Sequence, residues 1–232
     1  MSTGAAIGPI LPPAAGQFVE GLTALPDGRL LQLTYREGQV NEYRAVGSAL
    51  ERVSTVPVSL GAEGWGLTHS ADGATLYATD STDLLLHVNA TTLQVEKSVR
   101  IVDGRLGDAV RAIYGVNELE RVGDEVWGNV YPSCALGSSG RRAPCMHSEC
   151  VARLDPATGR VLGWVDMSAL LALESAAVRA DALNNVLNGL AYRGGDLYVT
   201  GKNWRSIYRV ALEPTALGPE HVERVCNLQR RE

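Results

Sequence analysis

The chain has 232 residues, 45% hydrophobic and 20% charged, which suits one domain or a repeat array built around a substantial core. A formal net charge of −5 and the lack of any Lys/Arg run exclude the electrostatic footprint of a nucleic-acid binder; Arg141 and Arg142 read as a solvated pair in a polar loop. No apolar stretch reaches the roughly 18 residues that a membrane-spanning helix needs, so neither nucleic acid nor membrane is an expected partner.

In chain order, residues 1–16 read MSTGAAIGPILPPAAG. This is expected to be a flexible leader, because Gly and Pro interrupt its apolar content. With no basic start it is a poor secretory signal. Residues 17–232 read as a single domain organised by internal repeats. The four repeated segments are EGLTALPDGRLLQL from Glu20, GWGLTHSADGATLYAT from Gly64, NELERVGDEVWGNV from Asn117 and NGLAYRGGDLYVTG from Asn188. Each is a short strand, a Gly/Asp turn and a second alternating strand, which is the signature of a hairpin. The equivalent leucines are Leu22, Leu67, Leu119 and Leu190, spaced by 45, 52 and 71 residues. A period near 40–50 residues points to the blades of an all-β propeller. A β-sandwich would supply hairpins without the regular period.

Further strands are expected at 85–89 and 93–99, joined at Ala90, Thr91 and Thr92, and at 151–154 and 161–165, joined at 155–159. They would complete four strands per blade. The long third spacing has two sources. One is the Gly-, Ser- and Arg-rich loop 132–149. The other is 168–183, where the spacing of Leu170, Leu171, Glu174, Ala177 and Val178 predicts one inserted helix capped by Ser168.

The first strand of each propeller blade lines the central channel. Repeat equivalence therefore brings Glu20, Gly64, Asn117 and Asn188 to one mouth, with Trp65 in the same ring. Lys202 sits at the far end of a second strand, and spacing alone leaves its reach open. The histidines at 69, 87, 147 and 221 show no paired spacing, so Ser-His-Asp catalysis has no support; His69 reads as an exposed turn residue. Cys134, Cys145 and Cys150 cluster without paired C-x-x-C clips. With Cys226 they leave three options: a loop disulfide, free thiols, or a Cys/His metal site that includes His147.

The strings FVEGLT from Phe18, GWGLT from Gly64, NELE from Asn117 with VWGNVY from Val126, VLNGLA from Val186 and VTGKNW from Val199 are specific. In order and separation they resemble successive motifs of the plant-type, metal-independent glutaminyl-peptide cyclotransferases, from about Gln17 to Val210. The resemblance implies a five-bladed propeller that converts the N-terminal glutamine of peptides or proteins to pyroglutamate and releases ammonia. It implies no metal and no cofactor. It also implies passage through the secretory pathway, for which this chain shows no signal. A monomer is expected.

Carried over by motif, Glu20 is the catalytic residue, Asn117 and Lys202 are polar active-site residues, and Phe18 and Trp65 line the pocket. Tyr35 and Tyr131 stand where the plant enzymes carry Trp; each keeps a flat apolar face and adds a hydroxyl. The family's first blade, marked by an FTQGL motif, is not found before Gln17. Either the chain is a fragment or its ring closes with four blades, and an unclosed ring would expose a sheet edge. The loop from Cys134 to Glu149 has no family counterpart.

These residue types suit the reaction. Glutamine's own amine attacks its side-chain amide carbon, so holding a bent conformer supplies much of the acceleration. Glu20, with a pKa raised by an aromatic pocket, takes a proton from the amine and returns it to the leaving nitrogen. Lys202 or Asn117 donates to the tetrahedral oxyanion. Two other readings remain open at the level of sequence. One is a lactonase-like propeller holding a divalent cation through Glu20, Asn117 and Asn188. The other is a scaffold that binds without turnover.

Overall fold

The computed structural model describes residues 13–47, 49–106, 110–132, 148–181, 184–226 and 228. Four antiparallel sheets follow one another along the chain. The first holds β1 (Val19–Ala24), β2 (Arg29–Thr34), β3 (Gln39–Val46) and β4 (Ala49–Pro57). The second holds β5 (Leu67–His69), β6 (Thr75–Thr79), β7 (Leu84–Asn89) and β8 (Val95–Arg100). A two-stranded ribbon, β9 (Val102–Asp103) with β10 (Arg111–Ala112), leads to the third. That sheet holds β11 (Val116–Val122), β12 (Glu125–Val130), β13 (Cys150–Leu154) and β14 (Val161–Asp166). Two short helices, α1 (Ser168–Leu173) and α2 (Ala176–Arg179), precede the fourth sheet, formed by β15 (Leu187–Arg193), β16 (Asp196–Gly201) and β17 (Tyr208–Val210). The helix α3 (Pro219–Cys226) follows, and a disulfide from Cys150 to Cys226 ties it to β13.

Each sheet is a meander whose strands pair in sequence order, as short hairpin turns dictate. The first turn shows the local cause: Gly28 takes φ +88°, and the Asp27 carboxylate accepts from the Arg29 amide at 3.0 Å. The inner strands β1, β5, β11 and β15 lie side by side in that order, which is the arrangement of propeller blades.

The core is the set of layers between blades. Leu31, Leu33, Val40, Leu67 and Leu76 fill the first layer. Leu85, Ile101, Ile113, Val116 and Leu119 fill the second. Trp127, Val151, Leu187, Leu190 and Val199 fill the third. Burying one such side chain contributes about 1.5–3 kcal/mol.

The repeated leucines report where these layers stop. Leu67, Leu119 and Leu190 are 2%, 1% and 7% exposed, each packed in the layer shared with the preceding blade. Leu22, at the same position of the first blade, is 50% exposed. Among the described residues no sheet covers that face, and β15 makes no comparable contact with β1. The four blades form an arc.

Several sequence expectations need correction. The single helix over 168–183 is two helices. Ser175, in extended backbone, caps the second through its side chain, which accepts from the Val178 amide at 3.3 Å. Ser168 is not the cap of the first: Met167 holds that position without a side-chain bond, and the Asp166 carboxylate accepts from the Ser168 amide. Residues 182–183 lie outside the described set. The strand expected at 93–99 starts at Val95, because Leu93 sits in the turn at φ +56° with its side chain buried. The fourth sheet has three described strands. His69 ends β5 half-buried, with Nδ1 2.7 Å from the Ser70 carbonyl. The disulfide decides the state of Cys150 and Cys226 and removes Cys150 from any Cys/His metal set. Cys134, Cys145, His147 and most of the 132–149 loop lie outside the described residues, as do residues 1–12 of the leader.

Blade spacing sets a strict demand at Gly66. A β-carbon there would lie 1.9 Å from the Asn117 carbonyl oxygen and 2.7 Å from Leu119 Cγ. Gly66→Ala is expected to lose at least about 1–3 kcal/mol through overpacking, read as a lower urea midpoint. Among the described residues Gly104→Ala meets only Val110 Cγ2, at 4.0 Å, and it is expected to leave the midpoint nearly unchanged.

Candidate active site

The site begins with a slip in register repeated at the head of the inner strands. Val19 pairs with Thr34 but Leu22 with Gln32; Val116 pairs with Val130 but Leu119 with Gly128; Leu187 pairs with Gly201 but Leu190 with Val199. Two residues therefore oppose one, a bulge that re-aims side chains. The pairs are Glu20–Gly21, Asn117–Glu118 and Asn188–Gly189. In the second blade Trp65 donates to the Thr79 carbonyl and Thr79 donates back to that of Gly66, at 2.9 and 3.2 Å, which is the same crossing. The equivalent row is thus Glu20, Trp65, Asn117 and Asn188. Gly64, expected in that row, lies one residue outside it.

Lys202 reaches this row because of the turn that follows β16. Its amide donates to the Val186 carbonyl at 2.8 Å. Asn203 adopts φ +60° and donates through Nδ2 to Asn185 Oδ1, while Trp204 Nε1 donates to the Asn185 carbonyl. The ammonium then lies 5.8 Å from the ring centre of Tyr131, within cation–π range.

Trp65 and Tyr131 form one wall, with ring centres 5.8 Å apart and planes at 59°. Phe18 and Tyr35 form a second pair, also 5.8 Å apart, at the rim, where Phe18 is 58% exposed. The Tyr35 hydroxyl donates to Glu63 at 2.7 Å, and Arg36 pairs with the same carboxylate at 2.8 Å. The tyrosine hydroxyl, absent from a Trp, thus anchors this rim.

Burial raises the pKa of Glu20; Lys202 opposes that shift and Glu63 adds to it. Tyr131 is raised by burial and by Glu20. Glu118 is pushed up to about 8 by burial, then by Glu20 and Glu120, with Lys202 opposing. Asn117 is 4% exposed, yet its Oδ1 has no hydrogen-bond partner among the described residues; neither does the buried Nδ2 of Asn188. Buried amide atoms are normally satisfied, so these orphans mark a place shaped for a polar ligand. A cavity of about 510 Å³, lined by Val122, Trp127, Tyr192, Leu197 and others, lies at the opposite ends of the inner strands and holds none of the candidate residues.

Residues 10–212 match the family model for glutamine cyclotransferase. The chain belongs to the glutamine cyclotransferase family. Within it, the chain is 32% identical over 170 residues to a glutaminyl-peptide cyclotransferase of Arabidopsis thaliana, covering 71% of this chain and 45% of that protein. It thus spans about half the length of that relative. The crystal structure of Myxococcus xanthus glutaminyl cyclase superposes with a TM-score of 0.69 at 28% identity, covering 85% of this chain and 74% of that one.

For this cyclotransferase-family chain, the expected set divides by geometry. Glu20, Trp65, Tyr131 and Lys202 come together at the channel mouth, and Asn117 lies in the equivalent bulge of the inner strand β11. Phe18 and Tyr35 form the separate rim pair. Three residues escaped sequence reasoning. Glu63 holds Tyr35 and bears on Glu20. Asn129 bridges two blades, its Oδ1 accepting from the Glu118 amide at 3.0 Å and its Nδ2 donating to the Leu187 carbonyl at 2.6 Å. Glu118 shares the channel with Glu20 and Lys202. Its signal was present in the repeats: aligned on the four leucines, Gly21, Gly66 and Gly189 stand where the third repeat has Glu118.

Proposed function

We propose that this chain is a glutaminyl-peptide cyclotransferase acting on peptides or proteins with an N-terminal glutamine, as a monomer and without a metal. The observation that carries the reading is the convergence of the Glu20 carboxylate, the Lys202 ammonium and the Trp65–Tyr131 wall, with an unpaired buried acceptor on Asn117 in the equivalent bulge of the inner strand β11. Family membership supports the same activity.

In this mechanism the glutamine stem lies against Trp65 and Tyr131, which hold it bent and exclude water. Asn117 Oδ1 accepts an N–H of the substrate amine. That nitrogen attacks the side-chain amide carbon, and the new C–N bond forms as the carbonyl becomes an oxyanion facing Lys202. Glu20 takes the proton from the attacking nitrogen and hands it to the leaving one. The original C–N bond then breaks and ammonia departs. A raised pKa brings Glu20 closer to neutral pH, where one carboxyl serves as both base and acid. An ammonium facing Glu20 disfavours a divalent cation beside it, which weighs against the lactonase-like reading.

The test is ammonia release from a Gln-initiated peptide, with calorimetric binding of the same peptide measured alongside. Turnover that is insensitive to EDTA is the expected result. Binding without ammonia release would make the chain a scaffold, and loss of turnover on chelation would restore the metal reading.

A further inference from the structure

The row of residues following the channel residues is Gly21, Gly66, Glu118 and Gly189. Two of the glycines are forced by the next blade: a β-carbon on Gly21 would lie 2.5 Å from the Leu67 amide, and one on Gly66 1.9 Å from the Asn117 carbonyl. Gly189, at φ +141°, would meet Thr200 Cγ2 at 2.6 Å. Glu118 escapes this because its blade is spaced differently. Between the first two blades the Gly21 amide donates directly to the Trp65 carbonyl at 2.8 Å. Between the second and third, one hydroxyl intervenes: the Gly66 amide donates to Thr79 Oγ1, which donates to the Asn117 carbonyl, both at 3.1 Å. Between the third and fourth, the whole Asn129 amide group intervenes. This longer bridge makes room for a side chain at the one bulge whose second residue is not glycine.

The room is filled by an acid beside another acid. Glu118 faces Glu20 from β1, Glu120 from its own strand and Lys202 from the turn after β16. Glu20 in turn faces Glu63, and Tyr131 faces Glu20 and Asp181. Glu120 is drawn outward, where it accepts from the Tyr192 amide at 2.8 Å. Within the channel, one ammonium therefore stands against two carboxyls. Two anions at such close quarters are disfavoured, and the pair titrates as a unit.

We infer that Glu118 is a positioning residue of this site: it holds a proton while Glu20 stays ionised, and it closes the site when it ionises. The neutral acid leaves Glu20 as the one channel anion facing Lys202. The Glu118 anion adds a second negative charge where the oxyanion must form, and it raises the affinity of Glu20 for protons. The direction of the Glu118 shift, up to about 8, agrees with this assignment.

The test has two arms. The first is independent of turnover: NMR titration of the protein carrying ¹³Cδ-labelled glutamate. A carboxyl resonance with a midpoint near pH 8 is expected, absent from Glu118→Gln, with the Glu20 midpoint unmoved in that variant, because Glu118 is already neutral where Glu20 titrates. No lost resonance above about pH 6, or a Glu20 midpoint that falls in Glu118→Gln, overturns the inference, the latter because it would mean Glu118 is ionised while Glu20 titrates.

The second arm rests on the cyclisation reading. The kcat/KM of the wild type divided by that of Glu118→Gln at the same pH, a ratio in which titration of the substrate amine cancels, is expected to fall about tenfold from its neutral value by pH 9, and the same ratio for Glu118→Asp keeps the fall. A Glu118→Gln profile lowered at every pH without change of shape assigns Glu118 a merely structural role. Should Glu118→Gln not fold, the midpoint shift in Glu118→Asp decides the first arm. Absence of ammonia release from the wild type counts against the proposed function and leaves the NMR arm standing.

Discussion

Glu20→Gln is expected to lower kcat for ammonia release by about 10²- to 10⁴-fold, the usual contribution of a positioned acid–base group. KM should change little, because glutamine keeps the shape and polarity of the side chain and only the exchangeable charge is lost. A fall in kcat without a matching rise in KM is the mark of an interaction made in the transition state. The pH profile supplies a second check. In the proposed cyclisation Glu20 must be ionised to accept the amine's proton, so activity should drop as pH falls through its pKa. Burial and Glu63 raise that pKa, so the acid limb of wild-type kcat should lie above the ordinary carboxylate range of about 4.3. In Glu20→Gln the residual rate should lack that limb. Near-normal ammonia release from the variant would remove Glu20 from the mechanism.

The blades were legible in the sequence because their causes are local. Gly/Asp turns and alternating strands repeat around Leu22, Leu67, Leu119 and Leu190, and each hairpin is specified by the residues it contains. The break in the expected helix was not legible, since its cause is distant. The spacing of Leu170, Leu171, Glu174, Ala177 and Val178 continues through Glu174. The buried Glu174 carboxylate, however, is claimed by the Tyr208 hydroxyl at 2.8 Å and the Arg205 amide at 3.3 Å, and the chain leaves the helix there. Tertiary bonds to the fourth blade thus override a helical pattern.

The candidate site divides the same way. Glu20, Asn117 and Trp65 could be aligned from the repeats because they lie on inner strands. The bulges could not, since an extra residue has no compositional signature, although counting back two residues from the four leucines already puts Trp65 and not Gly64 in the row. Glu118 was passed over for this reason: read as a plain strand, Asn117 and Glu118 point to opposite faces. With two residues opposing one, the strict alternation is lost and Glu118 comes within range of Glu20.

Lys202 is the residue whose removal tests the electrostatics of the channel most directly. Lys202→Met keeps most of the side-chain bulk and leaves the amide bond to Val186 intact. It removes one positive charge. Loss of an oxyanion donor typically costs about 2.7–4 kcal/mol, so kcat should fall by about 10²- to 10³-fold. The charge also holds the pKa of Glu20 down against burial and Glu63. Without it that pKa rises, more protons are bound at a given pH, and the acid limb of the residual activity must move to higher pH. The two effects separate the roles: a lower plateau reports the oxyanion, and a displaced limb reports the carboxylate. Lys202→Arg keeps the charge and should hold the limb in place, while its planar fork, longer than the ammonium it replaces, should recover only part of the plateau. A Lys202→Met variant with both plateau and limb unchanged would show that the ammonium beside Tyr131 takes no part in the proposed reaction.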